Sequence, residues 1–128
     1  LKTFLAKPLT RLDIEEARDF FGPHGEPFHE EGWNHILNKH GGYLPLEIRT
    51  VAEGSTVPIR NALVTVENTD PAAFWLPGYI ETALLRAIWY PTTVATLSWQ
   101  AKQVIRQFLV ETSDDPAGQL PFKLHDFG

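Results

Sequence analysis

The sequence predicts an α+β fold in which helices pack on a small antiparallel sheet. Apolar residues recur with a helical period up to about residue 40, alternate with period two between 46 and 66, and return to the helical period after residue 78. Glycine and proline separate these segments, as turn residues do. The composition agrees, because 43% hydrophobic and 21% charged residues among 128 are typical of one globular domain with a packed core.

Two helices are predicted before residue 41. The first covers 11–21 and opens with Thr10 and Asp13, whose side chains have the types and spacing of a capping box. The second covers 30–40 and carries an apolar face that we expect to be buried. It ends at Gly41-Gly42, because glycine readily adopts the left-handed conformation found just beyond helix ends.

A small sheet is predicted next, over residues 46–66. Strand-like runs lie at 46–51, 56–57 and 62–66, where apolar and β-branched residues alternate with polar ones. The following segment 68–71 predicts a turn, because asparagine and the residue before proline both avoid the helical region. Three short strands at close spacing indicate a small antiparallel sheet or part of a barrel.

The second half of the chain is predicted to be helical, with a strand at its end. Apolar faces predict helices over 78–90 and 92–112, and Pro91 separates them because proline disrupts a helix interior. Residues 122–127 alternate again and predict a final strand. A strand needs neighbours to pair with, so we expect further sheet or barrel strands outside this sequence.

Composition also excludes several classes of function. Eleven basic against 16 acidic residues give a net charge of −5, whereas nucleic-acid-binding proteins present a basic surface. No run reaches the roughly 18 apolar residues of a membrane helix, and residues 1–5 do not form a secretory signal. The absence of cysteine excludes disulfides and fits a cytoplasmic protein. The absence of methionine leads us to expect that the sequence is part of a longer chain.

Two groups of residues raise a metal hypothesis. His24 and His29, and likewise His35 and His40, are five residues apart, which is about 140° around a helix and does not place two ligands on one face. We therefore interpret the histidines as solvent-exposed or helix-end residues and predict no metal ligand among them. Asp114-Asp115 has the composition of a magnesium pair, but its polar surroundings favour a turn in solvent.

The sequence carries no familiar catalytic pattern. Neither a glycine-rich phosphate loop nor a nucleophile elbow is present, so we predict no catalytic residue. Most aromatic residues fall on apolar helix faces and are interpreted as core, although Trp75 and Trp89 are alternatives for a partner surface. Lys123, His125 and Asp126 alternate with apolar residues at a predicted strand end, where α/β folds commonly bind ligands. An ordinary half-exposed strand is the alternative there.

Several blocks of the sequence resemble one enzyme family. The blocks are Glu31-Gly32-Trp33-Asn34-His35-Ile36-Leu37, Leu44-Pro45-Leu46-Glu47-Ile48, Val66-Glu67-Asn68-Thr69-Asp70-Pro71, Trp89-Tyr90-Pro91-Thr92-Thr93-Val94-Ala95-Thr96, Leu109-Val110-Glu111-Thr112-Ser113 and Lys123-Leu124-His125-Asp126-Phe127-Gly128. They follow one another in one collinear order over the whole chain, and on them the sequence resembles the nicotinamide phosphoribosyltransferases. It departs from the familiar vertebrate pattern at 86–88 and 97–100, on predicted helices, which bears on surface or dimer details.

The resemblance implies a type II phosphoribosyltransferase. Such an enzyme is a homodimer that joins nicotinamide to phosphoribosyl diphosphate, giving nicotinamide mononucleotide and pyrophosphate for NAD biosynthesis and salvage. Residues 1–121 would form an N-terminal α+β domain, and 122–128 the first strand of an α/β barrel. The rest of the barrel, the catalytic residues and the ligands of an expected Mg²⁺ would belong to the C-terminal remainder. This chain by itself is therefore expected to be inert.

One substrate-binding residue is implied by the resemblance. Phe127 matches the phenylalanine whose ring stacks on nicotinamide, and an aromatic face suits a flat neutral ring. Lys123 and His125 match positions near the channel that leads into that site. Two other functions stay open on the sequence alone: a non-catalytic dimerisation or partner-binding module, and a phosphoribosyltransferase that prefers nicotinate.

Overall fold

A computed structural model describes residues 5–125, and over this range the fold is α+β as predicted. Within residues 5–125 the main regular elements are four α-helices and a two-stranded antiparallel sheet. They are α1 (Arg11–Phe21), α2 (Glu30–His40), β1 (Leu46–Thr50), β2 (Val64–Asn68), α3 (Leu76–Thr112) and α4 (Pro116–Gln119), with single 3-10 turns at Pro71–Ala73 and Leu120–Phe122.

The first two helices have the predicted bounds and the predicted ends. Thr10 and Asp13 form a reciprocal capping box at the start of α1, in which each side chain accepts a hydrogen bond from the other residue's backbone N–H. Gly41 follows α2 with a φ of 60°, in the left-handed region, and its N–H donates to the carbonyl of Ile36. Local chemistry therefore explains where α1 begins and where α2 ends.

The sheet has two strands rather than three. Strands β1 and β2 pair antiparallel, with Leu46 opposite Asn68 and Ile48 opposite Val66. The strand expected at 56–57 is wrong, because that segment belongs to the mainly exposed loop between β1 and β2. Strands β1 and β2 pair directly with each other, and Pro58, which has no N–H to donate, interrupts the segment between them.

A compact core lies between α2, the sheet and the start of α3. Ile36, Ala73, Leu76 and Ile80 form a buried cluster, and Ile36 and Leu76 are completely shielded from solvent. Half-buried side chains from the surrounding elements complete it: Leu9, Trp33, Leu44, Leu46, Val66 and Trp75. Burial of side chains of this size is the main source of stability in such a fold.

The two helices predicted at 78–90 and 92–112 are one continuous helix, α3, which contains Pro91. A proline removes one backbone hydrogen bond and crowds the preceding turn, but it does not prevent the turns on either side from remaining helical. A hydroxyl group close to the proline also bonds within the helix: Thr93 Oγ1 donates to the carbonyl of Trp89 over 2.8 Å. The predicted break at Pro91 is therefore wrong, because the helix continues through the proline.

The final strand expected at 122–127 is also wrong where the structure describes it. Phe122 ends a 3-10 turn, and the N–H of Lys123 donates back to the carbonyl of Leu120 instead of to a strand. Residues 123–125 pair with no strand among residues 5–125. The remainder of the expected strand lies outside the described residues.

The chain forms two compact units that divide between Thr82 and Ala83. We call the described residues 5–82 the N-terminal unit and 83–125 the C-terminal unit. The predicted domain boundary between residues 121 and 122 stays a prediction. No helix in the described part of the chain is both long enough and apolar enough to span a membrane.

Candidate functional site

The most concentrated polar cluster in the N-terminal unit is built around Asp70. This residue follows β2 and caps the 3-10 turn Pro71–Ala73, with its Oδ1 accepting from the N–H of Ala72 over 3.1 Å. Asn68 donates from its side-chain amide to the carbonyl of Asp70 over 2.9 Å. Only 4% of Asp70 is exposed, so its carboxylate is held in one orientation inside the protein.

Three side chains from α2 converge on a single oxygen of that carboxylate. Asp70 Oδ2 accepts from Nε2 of His35 over 2.8 Å, from Nζ of Lys39 over 2.9 Å and from Nε2 of His40 over 2.7 Å. These contacts connect the C-terminal half of α2 to the turn before α3, across about thirty residues of sequence. We call His35, Lys39, His40 and Asp70 the Asp70 cluster.

The hydrogen bonds of the cluster keep Asp70 ionised. The bond from His35 is the largest influence, followed by those from His40 and Lys39 and by the N–H of Ala72, and together they hold the pKa of the Asp70 carboxyl far below its ordinary value. Burial acts in the opposite direction but is outweighed. The site therefore presents a permanent negative charge to its nitrogen partners.

His35 and His40 reach one common partner, although their spacing of five predicts different helix faces; the prediction of no metal ligand stays a prediction. Their rings lie 5.9 Å apart between centroids and both reach the same oxygen. Spacing of five places two ligands on different faces only if the target lies beside the helix. Here Asp70 is met at the end of α2, where His40 is the last helical residue.

Trp33, Trp75 and Tyr79 pack against one another in this unit, whereas Phe74 and Tyr43 are exposed. Trp33 meets Trp75 edge to face with ring centroids 4.8 Å apart, and meets Tyr79 in the same way at 4.9 Å. His29 adds an edge contact to Trp75. Trp75 is therefore engaged within its own unit, whereas Trp89 is 55% exposed.

The residues predicted from the end of the chain lie in the C-terminal unit or outside the described residues. Lys123 and His125 are exposed and belong to the C-terminal unit. Phe127 lies outside the described residues. Asp115 caps α4 by accepting from the N–H of Gly118 over 3.0 Å, which matches the turn interpretation of the Asp114-Asp115 pair.

The group of His35, His40 and Asp70 does not have the ligands that Mg²⁺ prefers. The group of His35, His40 and Asp70 is the one set of three metal-ligating side chains brought together within residues 5–125. It offers two imidazole nitrogens and one carboxylate, whereas Mg²⁺ prefers an all-oxygen shell with several waters. No step of phosphoribosyl transfer is therefore assigned to this group.

Comparison with known proteins relates the chain to one enzyme family. Residues 1–48 match the family model described as the N-terminal domain of nicotinamide phosphoribosyltransferase. A nicotinamide phosphoribosyltransferase of Xanthomonas campestris pv. campestris is 58% identical over 128 residues, which is 100% of this chain and 27% of that protein. A protein of the same name from Acinetobacter baylyi is 44% identical over 71 residues, covering 56% of this chain and 14% of the relative. One from Mycoplasma pneumoniae is 32% identical over 87 residues, covering 66% and 19%.

These matches, together with the α+β fold, define the class as the N-terminal part of a phosphoribosyltransferase. The chain belongs to the nicotinamide phosphoribosyltransferase family and corresponds to the N-terminal portion of its members. It spans about a quarter of the length of the Xanthomonas relative.

Proposed function

We propose that this chain is the N-terminal part of an enzyme that makes nicotinamide mononucleotide and pyrophosphate from nicotinamide and phosphoribosyl diphosphate. The observation that carries the proposal is the 58% identity to a protein of that name, extending over every residue of this chain. The product would feed NAD biosynthesis and salvage. Because the chain spans 27% of that relative, the transfer chemistry is expected to come from a C-terminal remainder.

The chemistry sets out what that remainder must supply. Transfer at the anomeric carbon requires stabilisation of a cationic sugar and of a leaving diphosphate. An Mg²⁺ ion bound to the complete enzyme would neutralise diphosphate charge, and we expect its oxygen ligands to lie in the remainder. The contribution of this chain is to bind and orient nicotinamide, not to transfer a group.

Within this chain we assign substrate contact to Phe127. Its ring would stack on nicotinamide and hold the base by an aromatic face and by exclusion of water. Lys123 and His125 would line the approach to that site, and the exposure of both side chains suits residues along a channel.

An apolar stripe on α3 supports the need for a remainder. Tyr90, Leu97, Val104 and Phe108 are all about half exposed or more, and their spacing of seven, seven and four places them on one face of the helix. We propose that the C-terminal remainder packs on this stripe, because the Xanthomonas relative extends far beyond the matched length. A homodimer in the cytoplasm is the assembly we expect for the whole enzyme.

The direct test measures nicotinamide mononucleotide formation by this chain with and without a C-terminal polypeptide that completes the length of its relatives. We expect no product from either piece alone and product from the mixture or the joined chain. Turnover by the 128-residue chain alone would contradict the proposal that the C-terminal remainder supplies the transfer chemistry. A joined chain that folds but makes no product would favour the alternative of a non-catalytic dimerisation or partner-binding module. Faster turnover of nicotinate would favour the other alternative.

Phe127 gives the sharpest test of a single residue. In the assembled enzyme, Phe127→Ala should weaken nicotinamide binding by about 5- to 150-fold, because an aromatic face and its buried area are lost. Binding of phosphoribosyl diphosphate should change much less. Both affinities can be measured by calorimetry on the same preparation.

A conservative variant separates stacking from a core role. Phe127→Tyr keeps the aromatic face and adds a hydroxyl that a dry core would resist, so near-normal nicotinamide affinity is expected. If both variants unfold, or if alanine leaves nicotinamide affinity unchanged, Phe127 is not the stacking residue.

A further inference from the structure

We propose that His35, His40 and Asp70 form a binding site for one divalent transition-metal ion of the Zn²⁺ type. The site lies in the N-terminal unit and does not depend on the proposed transferase activity. Its three ligand atoms, one from each residue, all lie within 4.8 Å of one another. Two of the three approaches, His35 Nε2 and His40 Nε2 to Asp70 Oδ2, are already 2.8 and 2.7 Å.

Small adjustments would convert this arrangement into a coordination shell. Zinc binds imidazole nitrogen and carboxylate oxygen at about 2.0–2.2 Å, which in a tetrahedral shell separates neighbouring ligand atoms by roughly 3.3 Å. The two imidazole nitrogens would each move about half an ångström away from the carboxylate oxygen, and their rings would turn to bring them from at most 4.8 Å to about 3.3 Å apart. The side chains are 34% and 26% exposed for His35 and His40, so both have room to rotate and an ion can enter from solvent.

Three hydrogen-bond donors crowd one carboxylate oxygen, and this crowding favours a metal ion in place of the donors. Asp70 Oδ2 accepts from three nitrogen groups, although a carboxylate oxygen has only about two lone-pair directions. A cation placed among the three ligand atoms would replace these competing donors by direct bonds. The other oxygen of Asp70 is held by the N–H of Ala72, which orients the carboxylate as supporting hydrogen bonds do around metal ligands.

The donor set selects the class of metal. Two imidazoles with one carboxylate are typical ligands of Zn²⁺, Co²⁺ and Ni²⁺, whereas Mg²⁺ and Ca²⁺ take oxygen ligands. Three protein ligands leave the remaining coordination positions to water. The ion would link α2 to the turn before α3, and the expected effect is therefore a gain in stability.

Lys39 is the built-in competitor for the site. Its ammonium donates to Asp70 Oδ2 over 2.9 Å, and its side chain is 57% exposed. When an ion binds, this ammonium must leave the oxygen and return to solvent. Removing the charge should therefore strengthen metal binding, a result opposite to that of removing a ligand.

The test is a calorimetric titration of the purified protein with Zn²⁺ in a buffer without chelators. We expect one ion per chain, and an affinity reduced at least tenfold in both His35→Gln and His40→Gln. Lys39→Met should raise the affinity by about 1.5- to 5-fold, the size of an exposed ion pair. His24→Gln is the matched control, because it removes an exposed imidazole that bonds to the carbonyl of Phe20 instead of to Asp70.

A second measurement covers variants that fold poorly. Zn²⁺ should raise the midpoint of thermal unfolding of the parent protein and of Lys39→Met, and leave that of His40→Gln unchanged. Co²⁺ should produce a visible absorption band from the same site, and Mg²⁺ should compete with neither ion. The proposal is overturned if the parent protein and Lys39→Met both fail to bind Zn²⁺, if His24→Gln weakens binding as much as His40→Gln, or if Mg²⁺ displaces Zn²⁺.

Discussion

The N-terminal and C-terminal units differ in how their apolar residues are used. In the N-terminal unit, residues from α2, the 3-10 turn and the start of α3 meet in one closed cluster that excludes water from Ile36 and Leu76. In the C-terminal unit, Leu84 and Leu109 are the buried apolar residues among those described. Large apolar side chains are exposed in both units. In the C-terminal unit they follow α3, among them Trp89, Leu97, Trp99, Val104 and Phe108, whereas in the N-terminal unit they lie outside the closed cluster, among them Ile59 and Phe74.

The difference shows what an apolar helix face does and does not predict. Helices α1 and α2 each carry one apolar face, whereas apolar side chains occur on more than one side of α3. Whether a face is covered depends on a second element being present to cover it. The N-terminal unit contains its own second element, whereas the α3 stripe is proposed to find one in the remainder of the enzyme.

The largest effect is expected at the centre of the N-terminal core. Ile36→Ala should lower the free energy of unfolding by about 2–5 kcal/mol, because the side chain is fully buried and its removal leaves a cavity. Urea denaturation followed by circular dichroism measures the change. A loss below about 1 kcal/mol would mean that the core collapses around the smaller side chain, and the contrast between the units would lose its basis.

The next effect tests the close approach of two chain segments. Gly42 has a φ of 85°, and an added Cβ would collide with the backbone carbonyl of Leu9. Gly42→Ala should therefore cost about 1–3 kcal/mol through strain and displacement of Leu9.

Two other glycines serve as controls for the collision with Leu9 and for the left-handed conformation. Gly41 has only the left-handed conformation, and Gly78 has neither. Gly41 has a φ of 60° with open space around it, so Gly41→Ala should cost only the left-handed conformation, about 1 kcal/mol. Gly78 lies in α3 with open space around it, and Gly78→Ala should be neutral or stabilising by up to about 1 kcal/mol. If Gly42→Ala and Gly41→Ala lower the free energy of unfolding equally, the backbone of Leu9 moves away from the added Cβ at no measurable cost.

A smaller effect is expected at the start of α1. Thr10→Ala should cost about 1 kcal/mol, because it removes the hydroxyl that accepts from the N–H of Asp13. Thr96→Ala is the matched control in the C-terminal unit. Its hydroxyl donates to the carbonyl of Thr92 within the helix, and alanine there should be neutral or slightly stabilising.

The capping box also predicts a pH dependence. The side-chain hydrogen bond from Thr10, with the bond from its backbone N–H, lowers the pKa of the Asp13 carboxyl below its ordinary value of 3.8. A lowered pKa in the folded state means that the contribution is present above pH 3.8 and is lost as the pH falls below it. The difference between the parent protein and Thr10→Ala should therefore shrink in acid, and a difference that grows in acid would contradict the capping geometry.

The smallest effect is expected on the exposed stripe of α3. Phe108 is 63% exposed, so Phe108→Gln should change the free energy of unfolding of the chain by less than about 0.5 kcal/mol. The same substitution should weaken association with the C-terminal remainder, measured by co-purification of the two pieces. A large loss of stability in the chain alone would show that the stripe is already covered. Conversion of a stable dimer of the chain into monomers would assign the stripe to a second copy.

Elements with local signals were predictable from the sequence. Thr10 and Asp13 carry the chemistry that starts α1, and Gly41 carries the chemistry that stops α2, so these two ends were predictable from neighbouring residues. The alternation around Ile48 likewise predicts β1, because period-two burial is a property of the strand itself. Family membership was also readable, since whole blocks of sequence carry it.

The continuity of α3 and the number of strands were not predictable in the same way. Pro91 disfavours a helix interior by about 3 kcal/mol, yet that cost falls on one turn, and the turns on either side of it remain helical in a helix of 37 residues. The segment around Thr56-Val57 has strand-forming residues, but strands β1 and β2 pair with each other and leave it in a loop. Competition between pairings decides such cases, and local propensity does not register it.

The sequence by itself determined the α+β class, the start of α1, the end of α2 and the family to which the chain belongs. These follow from interactions among neighbours in the chain or from collinear blocks of residues. Only the tertiary structure decided that His35, Lys39 and His40 meet Asp70, because these residues are about thirty positions away from it in sequence. These contacts depend on how α2 packs beside the turn that follows β2. The shape of the whole core fixes the packing of such distant elements, and residue spacing within one helix does not predict it.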